Sequence, residues 1–214
     1  MALSQMMQHY LSMKEKYKDC IVFYRLGDFY EMFFEDAEKV SAMLELTLTG
    51  RDCGLEQRAP MCGIPYHAAD AYIAKLVALG QKVAICDQLS DPKTAGRGLV
   101  ERDVVRIVSA GTLTEETMLD DKSNNYIACL FKSEDGVAVA WTDITTGEFC
   151  AQDFICGTAA EDAIGHVIKL SVAEIICNED MLLLSKNFKE VKILPAFSCY
   201  VPWAFNVKHA ERNL

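Results

Sequence analysis

The sequence predicts two mixed α/β units in tandem (α/β in the broad α+β sense), and three observations lead there. Short β-branched and aromatic runs bounded by turn residues alternate with helical apolar stripes over roughly residues 5–113. From residue 126 three strand runs follow one another directly, and helix and strand then alternate to the end. Between them residues 114–125, Thr-Glu-Glu-Thr-Met-Leu-Asp-Asp-Lys-Ser-Asn-Asn, lose all apolar periodicity and read as a linker. The chain has 214 residues, enough for two small cores.

In the first unit, Ser4 is an N-cap candidate for a helix over residues 5–17, with Met6, Tyr10, Leu11 and Met13 as its apolar face. Cys20-Ile21-Val22-Phe23-Tyr24 predicts a strand that ends at Arg25-Leu26-Gly27-Asp28, where glycine permits a sharp turn. Phe29, Phe33, Ala37, Val40 and Leu44 step by 4, 4, 3 and 4, which predicts an amphipathic helix from Phe29 to about residue 45. Leu46-Thr47-Leu48-Thr49 predicts a strand, and residues 50–65, with three glycines and two prolines, a surface loop or loosely held hairpin. Tyr72, Ile73, Leu76 and Val77 mark a further helix closed by Gly80, followed by strands over Lys82–Asp87 and Val104–Val108. The polar stretch Ser90–Gly98 between them has turn chemistry throughout and is expected to be mobile.

In the second unit, Tyr126–Phe131, Val137–Ile144 and Phe149–Phe154 predict an antiparallel meander with glycine at each turn. A helix over 159–169, a strand Glu174–Cys177, a short helix Met181–Ser185 and a strand Val191–Leu194 follow. That order is the order of a ribonuclease H-like sheet, which by itself does not confer activity. The last residues, Val207–Leu214, look like an uncapped helix start, so the chain is expected to be a piece of something longer and its second unit C-terminally truncated.

Apolar residues make up 51%, charged residues 24% and aromatics 9%, values that exclude a disordered or low-complexity chain. No apolar run approaches the ~20 residues of a membrane span, and the N-terminus lacks a signal-peptide pattern, so a cytoplasmic location is expected. The net charge is -10, with 13 basic and 18 acidic residues up to residue 120 and 8 and 13 after it, so any nucleic-acid site must be local. Nine scattered cysteines read as reduced, largely buried thiols. Only Cys53, Cys62 and His67 cluster, without a Cys-x-x-Cys pair or a fourth ligand, which is poor zinc spacing.

Neither a phosphate-binding loop nor a dinucleotide fingerprint occurs, and no serine or cysteine nucleophile has a vouched-for base. Asp143 sits where a ribonuclease H-like nuclease places a metal-binding aspartate. Two-metal catalysis needs converging carboxylates, however, and Glu174 and Asp180 fall in the wrong part of the pattern. A strand-end aspartate in a polar turn is the simpler reading.

The run Phe23-Tyr24-Arg25-Leu26-Gly27-Asp28-Phe29-Tyr30-Glu31-Met32-Phe33-Phe34 resembles the start of the MutS family of bacterial DNA mismatch repair proteins. The resemblance continues, in order, through Leu46–Thr49, Pro60–Ala68, Tyr72–Val77, Val83–Gln88 and Val104–Val108, and more diffusely through Asp143–Phe149. It implies a mismatch-recognition domain over residues 1–113, a linker over 114–125 and a connector domain over 126–214. It further implies that Phe29 and Glu31 form a Phe-x-Glu reading motif, with support from Leu26, Arg51 and Met61. The ring would act as a wedge at a mispaired or unpaired base, where weakened pairing and stacking make the duplex cheap to kink. Glu31 would help only by hydrogen-bonding to the base, which for a ring-nitrogen acceptor requires the carboxyl to carry a proton.

Departures from the family pattern lie elsewhere: Ser109-Ala110-Gly111-Thr112 for Thr-Pro-Gly-Thr, Asp87 for Glu, and Cys62 for Ala. The resemblance implies double-stranded DNA with mismatches or small loops as partner, and no enzyme activity or cofactor for this piece. For the whole protein it implies an ATPase using ATP and magnesium, a homodimer and recruitment of MutL through the connector. Three rival readings stand beside it: a relative acting on other DNA structures, a metal-dependent nuclease centred on Asp143, and an interaction module in which Phe29 is core. Phe29 lies on the expected helical stripe, and such stripes are normally buried.

Overall fold

The computed structural model describes residues 3–89, 101–114, 123–155, 157–188, 191 and 193–213, and counts of elements refer to these. The chain divides into two compact units, 1–109 and 110–214. The division falls four residues before the one read from the sequence: the Gly111 amide donates to Glu174 Oε2, and the Asn125 side chain to the Ala110 carbonyl, both within the second unit. Most of the expected linker and the Ser90–Gly98 stretch lie outside the described residues.

The first unit carries helix α1 (Gln5–Lys16), strands β1 (Cys20–Leu26) and β2 (Phe29–Phe33), helix α2 (Phe34–Leu44), strands β3 (Thr49–Arg51) and β4 (Ala59–Pro65), helix α3 (Ala69–Ala78), and strands β5 (Lys82–Gln88) and β6 (Arg102–Val108). The strands form one mixed sheet ordered β3-β4-β2-β1-β5-β6. Ser4 caps α1 by accepting the Met7 amide. The buried stripe of α1 is Met7, Tyr10 and Met13, one residue out of the expected phase at Met6, while Leu11 is exposed. α1 packs on one sheet face against Tyr24, Phe33 and Ala84. On the other face Phe23, Met32, Ile64 and Val83 meet the apolar sides of α2 and α3, including Val40, Ile73 and Leu76. α3 ends in a Schellman turn: the Gly80 amide donates to Val77 and the Gln81 amide to Leu76, with Gly80 at φ +77°.

Three expectations change here. Residues 29–33 are a strand, and the helix begins only at Phe34. A spacing of four places Phe29 and Phe33 on one side of a strand as well as of a helix, and the aromatic segment is hydrogen-bonded between β1 and β4, which decides for the strand. Phe34, at φ +53°, turns the chain out of the sheet. The strand expected at Leu46–Thr49 is Thr49–Arg51, and of the two readings of 50–65, loop or loosely held hairpin, it is the hairpin that forms, firmly held, with β4 an inner strand between β3 and β2. Pairing on both edges overrides the glycines and prolines there, because Pro60 and Pro65 fall near the strand ends.

In the second unit, β7 (Tyr126–Lys132), β8 (Val137–Asp143) and β9 (Glu148–Phe154) form the meander. Helix α4 (Ala159–Leu170), strand β10 (Glu174–Cys177), helix α5 (Glu179–Ser185), strand β11 (Phe197–Cys199) and helix α6 (Val207–Asn213) follow. The sheet order β11-β10-β7-β8-β9, with β10 parallel to β7 and to β11, is ribonuclease H-like. A Cβ on Gly136 would lie 2.1 Å from the Phe154 carbonyl oxygen, so the β7–β8 turn requires glycine. The last strand is Phe197–Cys199, not Val191–Leu194: residues 193 and 194 are turn and bend, and Leu194 packs beside the core through its side chain.

Asp36, 1% exposed, is the one buried carboxylate among the described residues of the first unit. It accepts from Lys14 Nζ at 2.7 Å, from the Tyr10 hydroxyl at 3.0 Å and from the Val22 amide at 3.0 Å. Asp36→Ala removes this acceptor from all three donors, leaving Lys14 with the Cys20 carbonyl and Tyr10 with the Phe33 carbonyl, and unfolding in urea is expected to show a loss of about 3–5 kcal/mol.

Candidate functional site

The β1–β2 hairpin sets the geometry. Leu26 pairs with Phe29 and Tyr24 with Glu31; across the next ladder, Phe29 pairs with Pro65, Glu31 with Gly63 and Phe33 with Met61; and Arg51 on β3 pairs with Ala59 on β4. Directly paired residues share a face, and so do residues two apart. Leu26, Phe29, Glu31, Arg51 and Met61 therefore all lie on the α1 face of one sheet, drawn from four strands. Leu26 is the last residue of β1 and not part of the turn, while Arg51 and Met61 lie on strands and not in a loop.

α1 covers only part of that face. Tyr10 sets its ring 5.0 Å from Phe33 and 5.7 Å from Tyr24, and Met61 packs beside this cluster, half-buried. Beyond it the Leu26–Phe29 end is open. Phe29 is 47% exposed, which rules out a core role and leaves its ring free at the strand end. Glu31, two residues inward, has a side chain only 14% exposed, and its carboxylate accepts from Nη1 of Arg51, whose own side chain is 38% exposed. Gly63, opposite Glu31, puts no side chain over the carboxylate.

On the opposite face Arg25 braces the turn that carries Phe29. Its Nε donates to the Gly27 carbonyl at 2.5 Å, its guanidinium lies 3.7 Å over the Tyr66 ring and 3.8 Å from Asp87, and the Tyr66 amide donates to the Asp28 carbonyl. Tyr30, whose hydroxyl donates to Asp87, completes this cluster. Burial, with Asp87 nearby, pushes the Tyr30 hydroxyl above its ordinary value and keeps it a donor. Sequence reading missed Arg25, Gly63 and Tyr66, because only the strand register brings them to the site.

The other candidates serve the fold. Cys53 and Cys62 are buried and donate to the carbonyls of Gln57 and Ala37; burial, with Asp36 nearby, raises the Cys62 thiol to about 11. His67 is exposed, and among the described residues no set of three His, Cys, Asp or Glu side chains is placed to hold a metal ion. Asp143 is buried at the end of β8, where Oδ1 accepts from the Thr145 amide, the Thr145 hydroxyl and the Thr146 amide, and Oδ2 from the Asn125 amide. Burial pushes this carboxyl up, but the donors outweigh it and hold it below its ordinary value.

A profile of MutS domain I matches residues 4–117 and one of MutS domain II matches residues 125–214. The chain belongs to the MutS family. It is 55% identical over 177 residues to a protein of Acetivibrio thermocellus named DNA mismatch repair protein MutS, covering 83% of this chain and 20% of the relative. Proteins of the same name from Ruminiclostridium cellulolyticum and Alkaliphilus oremlandii are 52% identical over 93% of this chain and 46% over 99%, which is 22% and 24% of their own lengths. The chain thus spans about a fifth to a quarter of these relatives. Among the described residues, no helix is long and apolar enough to cross a membrane.

Two measurements follow from these environments. Phe29→Ala is expected to change stability by less than about 1 kcal/mol, whereas truncation of the fully buried Phe33 costs about 3–5 kcal/mol; equal losses on denaturation would return Phe29 to the core. Because the native Asp143 carboxyl titrates below the unfolded value, its contribution is full above about pH 3.9 and is lost as pH falls through the native value. Asp143→Asn should therefore lower the midpoint of denaturation at neutral pH, with the difference from wild type closing below about pH 3.9.

Proposed function

We propose that the first unit is a reader of mismatched duplex DNA, with Phe29 as the wedge and Glu31 as the partner of the base it unstacks. One observation carries this reading: Phe29 is 47% exposed at the open end of a rigid hairpin, on the same face as Glu31. An exposed phenylalanine held by ladders on both sides is a poor use of a hydrophobic residue in a monomer, but it is what a minor-groove wedge requires. Unstacking a base step costs a few kcal/mol and less at a mismatch, so a rigid ring discriminates by deformability and can serve many mispairs. The brace on Arg25 supplies that rigidity, since a ring that yields would accept matched and mismatched steps alike. Family membership supports the same reading, as relatives spanning this whole chain carry the name DNA mismatch repair protein.

On this reading the chain is a binding module and not itself an enzyme, with Leu26 and Met61 as the apolar floor behind the ring. The acidic balance of the chain fits a reader whose grip on the phosphate backbone is supplied by other domains. The second unit then serves as connector, a contact surface for MutL, and the whole protein acts as a homodimer with ATP and magnesium. Asp143, with both oxygens committed to the β8–β9 turn and to Asn125, argues against the nuclease reading.

Fluorescence anisotropy of the wild-type chain and of Phe29→Ala, on matched and single-mismatch duplexes at low and moderate salt, tests the proposal. The expected result is a preference of wild type for the mismatch that is lost in a variant with an unchanged melting temperature. A preference that survives Phe29→Ala overturns the wedge, and equal binding of every duplex by wild type overturns reading by this chain alone.

A further inference from the structure

An arginine at the edge of a DNA-facing surface would ordinarily neutralise a phosphate. The structure gives Arg51 a different partner: its Nη1 donates to Glu31 Oε2, the carboxylate that the reading above assigns to the unstacked base. The pair spans β3 and β2, two strands that do not pair with each other but are both paired to β4. Gly63, directly opposite Glu31, adds no side chain beside the pair; a Cβ there would make ordinary contact with Glu31 Cγ at 3.4 Å. Glu31 has little water to fall back on, whereas Arg51 stays over a third exposed and can be released to solvent.

Resting on that reading, we propose that Arg51 is a specificity-determining residue: it occupies Glu31 in the free protein and on matched duplex, and it gives way only where an opened base can take over the carboxylate. The physical reasoning is an exchange. On a matched duplex the bases stay stacked, nothing competes for Glu31, and the guanidinium neutralises a carboxylate that the DNA would otherwise repel. At a mismatch the extruded base edge offers a hydrogen bond, and forming it means breaking the ion pair. Arg51 thus stabilises the free and matched states relative to the mismatched complex, so that removing it sharpens discrimination even as it lowers overall affinity by one positive charge. A plain phosphate contact makes the opposite prediction, weakening both duplexes alike and reducing the salt slope by about 0.9.

The test is a double-mutant cycle on the ratio of matched to mismatched Kd, using wild type, Arg51→Gln, Glu31→Gln and the double variant, with Phe29→Ala as control. Arg51→Gln is expected to raise the ratio about threefold, the scale of a partly exposed ion pair, and to leave it unchanged in the Glu31→Gln background. An unchanged ratio with a shallower salt slope, the same in both backgrounds, makes Arg51 a phosphate contact and overturns the proposal; so does a fall in the ratio. If Phe29→Ala retains full discrimination, or wild type shows none, the wedge reading is what fails. The ion pair is then decided in the free protein: the Arg51 Nη–H signals in nitrogen-resolved NMR are expected to be slowed in exchange in wild type and not in Glu31→Gln, and identical exchange in the two removes the proposal.

Discussion

The first unit turns on one buried carboxylate. β2 pairs with β1 only from Phe29 to Glu31, although it runs on against β4 to Phe33, and the Val22 amide, level with Phe33 in that register, donates to Asp36 instead. One oxygen takes that amide and the Tyr10 hydroxyl, and the other takes the Lys14 ammonium, so a single side chain from the first turn of α2 closes the ladder and ties α1 to the sheet. Its place in the first turn also sets its charge against the positive end of the helix. A buried charge is tolerable only when its lone pairs are used, and here three donors from two other elements use them.

That constraint reaches the site. The Asp36 junction ends β2 at Phe33, leaving a strand of five residues whose far end is the hairpin turn, where Phe29 is exposed. α1, docked through Tyr10 and Lys14, covers Tyr24 and Phe33 and goes no further. The same contacts that bury one part of the face therefore define where it opens. The opposite face braces the turn through Arg25, Tyr66 and Asp87, so the exposed ring stands on a support held from both sides.

The two units use acidic residues alike. Asp36 and Asp143 are both buried carboxylates held by several donors, from α1 and β1 for Asp36 and mostly from the adjoining turn for Asp143, and both hold a junction where a strand ends. Glu31 differs: its partner is a single arginine side chain that is itself 38% exposed. That contrast separates a carboxylate that serves the fold from one available for recognition, and no composition or charge count could draw it.

Much of the chain was legible from residue order alone. The opening helix with its Ser4 cap, β1, the Gly80 helix end, β5, the meander, α4 and β10 follow from local chemistry: apolar periodicity, cap residues and glycine turns. The block of residues around Phe29 and Glu31 was also enough to single out the site and the family. What local pattern could not decide was conformation where two periods coincide or where pairing overrides propensity. Phe29 and Phe33, four apart, satisfy helix and strand equally, and the glycine- and proline-rich stretch becomes an inner strand only because β2 and β3 flank it. Whether Phe29 is buried or exposed, and which partner Arg51 keeps, depend on the register of four strands distant in sequence. Register is a property of long-range hydrogen bonding, so it was settled by the tertiary structure.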